Sequence, residues 1–259
     1  MSLSRTRIGS VAAGLVTAGL LAVPTASAAT QSVTLYHSPM QHDSRNASEA
    51  FNWSGYFKTG AAGTFHAATA RWVVPKVAAS AGNTFSSNWV GIDGAVTGDN
   101  QLIQTGTESD FVGGAAQYDA WWEILPAAET PVFTVKPGDV MTAFVKKLPS
   151  GKWSISITDK TSGKSFTTQK SFSGKGRSAE WIEERPQVGG SLATLAHYGK
   201  ATFDPTTVNG NNSKLKAANR ILMVNNAGTA VISTPSNPDS DTDGFRAAFG
   251  SALPAPPAS

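Results

Sequence analysis

From Phe51 onward, apolar and polar residues alternate in short runs and seldom recur every three or four positions. Runs of this kind, rich in Val, Ile, Thr and aromatics and bounded by Gly, Pro, Asn and Ser, predict strands. They fall at Asn52–Phe57, Ala70–Val74, Asn88–Asp93, Gln101–Thr105, Gln117–Ile124, Val140–Lys146, Lys152–Thr158, Ser178–Glu184, Arg220–Val224 and Thr229–Ser233. Pro149-Ser150-Gly151 and Thr161-Ser162-Gly163 have the composition of hairpin turns between consecutive strands. Ser191–His197 is the best short helical candidate. Many short strands at hairpin spacing predict an all-β chain, an antiparallel two-sheet β-sandwich.

The ends of the chain read differently. Arg5 and Arg7, the apolar run Ile8 to Val23 and the small residues Ala26-Ser27-Ala28 make residues 1–28 an export signal peptide. Residues 29–50 are polar and aperiodic, the pattern of a disordered lead-in or short pro-segment. Residues 51–250 form the expected sandwich domain, and 251–259, with three prolines, a disordered tail. A secreted, extracellular protein is implied, free of the membrane once the signal is cut.

Composition narrows the chemistry. The signal holds two Arg and no acid, so a formal charge of +3 falls to +1 without it. Lys and Arg are scattered, which argues against a nucleic-acid partner. The absence of cysteine removes thiol nucleophiles, thiolate zinc sites and iron–sulfur clusters. The four histidines, His37, His42, His66 and His197, form no tight ligand pair, so neither a metal nor another cofactor is expected. A monomer is expected.

Positions two apart share a face of a strand. Gln117, Asp119, Trp121 and Glu123 therefore share one face, opposite the core-like Tyr118, Ala120, Trp122 and Ile124. Trp89, Gly91 and Asp93 fall together, and so do Ser178, Glu180, Ile182 and Glu184. Carboxylates interleaved with aromatics on several strands suit a groove for an extended polymer, peptide or sugar. Glu183 points to the opposite side with Arg185, its candidate partner.

These residues sit in segments that together resemble the glutamic peptidases, the eqolisin family, also described as the peptidase A4/G1 type. The segments are Asn52-Trp53-Ser54-Gly55, Trp89-Val90-Gly91-Ile92-Asp93-Gly94, Ile103-Gln104-Thr105-Gly106, Tyr118-Asp119-Ala120-Trp121-Trp122-Glu123 and Ala179-Glu180-Trp181-Ile182, in the family's order. The resemblance implies a concanavalin-like sandwich of about seven strands per sheet. It also implies a catalytic pair, Glu180 and Gln104, and groove-lining or supporting roles for Trp53, Trp89, Asp93, Asp119, Trp121, Glu123 and Glu184. Such a pair would hydrolyse polypeptide substrates through an activated water, with no covalent intermediate and no cofactor. Two other readings stay open: a glycoside hydrolase using carboxylates such as Glu123 and Glu180, and a non-catalytic peptide- or carbohydrate-binding sandwich.

Overall fold

Strand pairing follows the alternation seen in the sequence. The computed structural model describes residues 33–259, so the expected signal peptide lies outside the described residues. One sheet, here the front sheet, runs in the order Arg220–Val224, Trp53–Thr59, Ser178–Glu184, Ser87–Ile92, Ile103–Val112, Ala115–Ile124 and Thr130–Thr134. The back sheet runs Ser165–Lys170, Trp153–Asp159, Val140–Lys147, Ala67–Val73, Lys200–Val208, Phe245–Phe249 and Val231–Pro235. Arg220–Val224 pairs with Trp53–Thr59 and also with Val231–Pro235, and so joins the sheets along one edge. Both expected hairpins form, with Gly151 at φ 82° and Gly163 at φ 80°, a region that disfavours other residues.

The inward faces make one core. Trp72, Met141, Ile155 and Phe203 of the back sheet pack with Val90, Ile103, Ala120 and Trp181 of the front sheet. Two tryptophans also tie the layers by hydrogen bonds. Trp181 Nε1 donates to the Thr69 carbonyl at 2.8 Å, and Trp72 Nε1 donates to Thr107 Oγ1 at 2.9 Å. Each indole places its apolar body in the core and satisfies its N–H on the opposite sheet. The outer face of the front sheet carries a second apolar cluster of Trp53, Trp89, Trp121 and Ile182, covered by Met40, Ala50, Ala95 and Leu102.

Several expectations are corrected. Residues 33–50 are not a disordered lead-in. Leu35–Tyr36 pairs with Gln187–Val188, and Glu49–Ala50 runs parallel to Leu222 and Met223. The tail 251–259 is likewise ordered: Pro254 and Pro257 are buried, and Arg246 Nη1 donates to the carbonyls of Ala255 and Pro256. Ser191–His197 is not a helix, because so short a run nucleates poorly alone. Phe85 N instead donates to Thr194 O, and Ala196 N to Phe85 O, in a strand-like ladder.

Two strands form where the alternation is masked. Ser165–Lys170 is an edge strand with no fully buried residue, and Lys200–Val208 contains Pro205, spanned by a register shift between Phe203 and Thr206. Proline normally demotes a run from the sheet interior unless a bulge accommodates it. Among the described residues no helix is long and apolar enough to cross a membrane.

Candidate active site

The front sheet's register brings the outward-facing polar residues into rows. Glu180 pairs with Gly91, Gly91 with Gln104, and Gln104 with Glu123. The next row is Ile182, Trp89, Gly106 and Trp121; the one after is Trp53, Glu184, Ser87, Glu108 and Asp119. Neighbouring strands are about 4.8 Å apart, so Glu180 and Gln104 stand roughly 10 Å apart at Cα, pointing the same way. The residue between them is glycine, and the edge of the Trp89 ring and the Leu102 side chain close over it: a Cβ there would lie 2.9 Å from Trp89 Cζ3 and 3.2 Å from Leu102 Cδ1. Gly106 serves a related need: a Cβ there would lie 2.5 Å from Trp89 Cβ and 2.8 Å from Trp121 Cζ2. Only a glycine lets the two indoles close over the strand.

Hydrogen bonds orient some of these groups and leave others free. Gln104 Nε2 donates to Glu123 Oε2 at 2.6 Å, and Trp89 Nε1 donates to Glu184 Oε2 at 2.7 Å. Gln104 Oε1 and both Glu180 carboxylate oxygens are buried without a hydrogen-bond partner. Trp53 Nε1 and Trp121 Nε1 are in the same condition. Native proteins leave few buried polar atoms unpaired. Their concentration on one face marks a surface shaped for a polar occupant.

Burial governs the acids. It pushes the Glu180 carboxyl well above the ordinary carboxylate range, and the Asp93 charge adds to the rise. The Ser178 hydroxyl opposes the shift without making a well-aligned hydrogen bond. Glu123 is pushed up to about 8, chiefly by burial, with the His37 charge pulling the other way. Asp119 is raised to about 7 by burial and by the neighbouring Glu129. Glu108 is raised by burial and by Glu129, against its contact with His37.

His37 comes from the segment before the sandwich. Its ring stacks on Trp121, its Nδ1 lies 3.0 Å from Glu184 Oε2, and its Nε2 lies 3.3 Å from both Glu129 Oε2 and Glu108 Oε1. The backbone N–H of His37 donates to Glu123 Oε1 at 3.3 Å, and that of Ser38 to Glu184 Oε1 at 3.2 Å. Burial alone would lower the imidazole's pKa, but the Glu184 charge and the contacts with Glu108, Glu129 and Glu184 hold it well above its ordinary value. The His37 ring thus sits among the carboxyls of Glu108, Glu129 and Glu184, which favour its protonated form. Glu180, Gln104, Glu123, Trp89 and Trp121 are all fully buried, and residues 33–50 pack against this face.

The geometry can be set beside known proteins. A family model described as the Peptidase A4 family matches residues 51–243. The chain belongs to the Peptidase A4 family. Aspergillopepsin-2 of Aspergillus niger is 30% identical over 164 residues, which span 61% of this chain and 58% of that relative. Scytalido-glutamic peptidase, solved with a transition state analog inhibitor, matches with a TM-score of 0.63 at 22% identity, covering 77% of this chain and 98% of that one. Aspergilloglutamic peptidase from Aspergillus niger gives a TM-score of 0.54 at 27% identity, covering 64% of this chain and 99% of that one. The glutamic peptidase resemblance carried by the five sequence segments is thereby borne out.

Within this Peptidase A4 chain, the residues singled out from sequence gather on one face. Glu180, Gln104 and Glu123 share a row, Trp89 and Trp121 the next, and Trp53, Glu184 and Asp119 a third. Asp93 stands apart. At φ 70° it directly follows the strand Ser87–Ile92, and its carboxylate accepts from the N–H groups of Gly176 (2.9 Å) and Arg177 (2.6 Å). It therefore pins the loop leading into the Glu180 strand. Glu183 is bonded by Asn88 Nδ2 at 2.5 Å, while Arg185 donates to Phe51 O and Asn226 Oδ1.

Glu108, Glu129 and His37 were missed. Glu108 shares the face of Gln104 by simple alternation, but the strand was expected to end at Thr105 and runs to Val112. Glu129 and His37 lie outside the sandwich strands, and no periodicity points to them.

Proposed function

We propose that this chain is a secreted endopeptidase in which Glu180 and Gln104 hydrolyse peptide bonds through one water. The supporting observation is that these two side chains share a row and a face on either side of Gly91, with their reactive oxygens unpaired. An amide is a weak electrophile, so its hydrolysis needs an activated water and a donor for the developing oxyanion. Ionised Glu180 takes a proton from the water and returns it to the leaving amine. Glu123 fixes the Gln104 amide through one N–H, which leaves a second N–H for the oxyanion and Oε1 to orient the water. No covalent intermediate forms and no cofactor takes part. Trp53, Trp89, Trp121, Asp119 and Glu184 line the groove along which an extended polypeptide lies, while Asp93 positions the Glu180 strand.

Residues 33–50 occupy that groove, so the unprocessed chain is latent until the segment is displaced. A glycosidase reading fits less well. Glu123 stands three strands from Glu180 in the row, with a glutamine between that is bonded to Glu123, whereas a glycosidase sets two carboxylates facing each other across the bond.

The test is turnover of unfolded casein by wild type, Glu180→Gln and Gln104→Ala after the segment is removed, with the fold checked by circular dichroism. Glu180→Gln is expected to be inactive, and Gln104→Ala to lose about 10²–10³ in kcat. Wild-type turnover by a folded Glu180→Gln protein would sink the proposal.

A further inference from the structure

On the back sheet, away from the groove, the loop between Val231–Pro235 and Phe245–Phe249 reads Asp239-Ser240-Asp241-Thr242-Asp243-Gly244. Acids at alternate positions followed by glycine match the first half of a calcium loop. The second half differs: the position where such loops carry a bidentate Glu is Gly250. The neighbouring strand Lys200–Val208 supplies Asp204 instead, because Phe203 pairs with Phe245 just after the loop. Carboxylate oxygens of Asp204, Asp239 and Asp243 all lie within 4.8 Å of one another.

An acidic cluster alone proves little, but Asp239 adds an independent sign. Its side chain is in a residue only 6% exposed, and Oδ1 is taken up by the N–H groups of Asp243 at 3.1 Å and Gly244 at 3.0 Å. The remaining oxygen, Oδ2, is buried with no hydrogen-bond partner. Asp243 repeats the pattern: Oδ2 accepts from Asn212 Nδ2, and Oδ1 is buried and unpaired. A buried ionised oxygen without a partner is costly unless a cation meets it.

No protein cation does so. Among the described residues none of the loop acids nor Asp204 forms an ion pair within 4 Å. The nearby Arg71 and Arg246 spend their Nη1 groups on backbone carbonyls. We propose that Asp204, Asp239 and Asp243 bind a Ca²⁺ ion that ties this loop to the adjacent strand. An all-oxygen, anionic donor set suits a hard cation, and an irregular loop suits Ca²⁺, which tolerates varied geometry, over Mg²⁺, which demands an octahedron. Its role is structural and separate from peptide hydrolysis.

The test is thermal unfolding of the chelator-stripped full chain, with and without Ca²⁺, paired with calorimetric titration of Ca²⁺. Extracellular calcium modules bind with Kd of about 10⁻⁴–10⁻³ M, so a near-saturating addition should raise Tm by several degrees, roughly 5 °C. Mg²⁺ and matched NaCl should do much less. Asp239→Asn and Asp243→Asn keep the shape and the hydrogen-bond acceptor, and each should abolish the Ca²⁺ shift. Asp204→Asn lies outside the loop and offers the same readout should a loop variant fold poorly. No Ca²⁺ heat and no Tm shift in wild type, or an equal shift with NaCl, overturns the proposal.

Discussion

The imidazole of His37 lies flat against the indole of Trp121, with ring centroids 4.0 Å apart and planes inclined by 12°. Trp121 sits in the row next to Glu180 and Gln104, so this stack places a residue of the preceding segment over the middle of the groove. Together with the acids around it, the stack holds well over about 1.4 kcal/mol, the equivalent of tenfold in a docking equilibrium. His37→Ala in the full chain should therefore speed cleavage of a fluorogenic peptide by about tenfold or more, and should expose residues 33–50 to hydrogen exchange. An unchanged rate with unchanged exchange would mean that the histidine does not hold the segment.

Gly91 separates Glu180 from Gln104. A Cβ there would lie 2.9 Å from Trp89 Cζ3 and 3.2 Å from the Ile103 carbonyl. Gly91→Ala should cost about 1–3 kcal/mol of stability through overpacking. Under the proposed mechanism it should also lower kcat more than it raises KM, because the added methyl pushes the Trp89 ring and Leu102 away from the gap between Glu180 and Gln104. Full kcat in a stable Gly91→Ala protein would place the chemistry elsewhere.

Asp93 acts at a distance from the reacting atoms. Each backbone N–H donated to its charged oxygens is worth about 1.5–3 kcal/mol. Asp93→Ala should lower Tm by several degrees and reduce kcat with it, while Asp93→Asn, which keeps one acceptor oxygen, should retain more of both. Equal losses in the two variants would show that charge, and not the hydrogen bonds to Gly176 and Arg177, is what matters there.

How much of this was legible depended on whether a feature is written in local alternation. Glu123, Trp121 and Asp119 share a face because side chains on a strand alternate, and that alone placed them correctly. The alignment of Glu180 with Gln104 in one row is non-local: it depends on Ser87–Ile92 entering the sheet between their strands, which period-2 patterning cannot specify. Only the resemblance to a family carried it. His37 was illegible for a different reason. Residues 33–50 gain order by packing against a surface that exists only after the sandwich forms, so their own sequence shows the polarity and aperiodicity of a loose chain. Pro205 hid a strand and the prolines of the tail suggested disorder, because in both places tertiary contacts override a local preference.

The acids of the groove also set how stability depends on pH. Glu123 is raised to about 8 and Asp119 to about 7, and burial also raises Glu180 and Glu183 well above the ordinary carboxylate range. Ordinary carboxylates in an unfolded chain titrate near about 4. Between that value and the folded ones, the native protein binds more protons than the unfolded chain. Glu123 and Asp119 therefore contribute stability that is complete below about pH 4 and is lost as pH rises through about 7 to 8, and Glu180 and Glu183 act with the same sign. His37, also raised, has the same sign, its contribution being lost as pH rises through its folded value. Tm should accordingly fall by several degrees between about pH 5 and pH 8. Asp119→Asn, which removes one of these titrations, should flatten part of that fall. Scanning fluorimetry across this range in wild type and variant decides the matter: a level wild-type profile, or one that rises with pH, would mean the buried acids do not carry the protons that their surroundings impose.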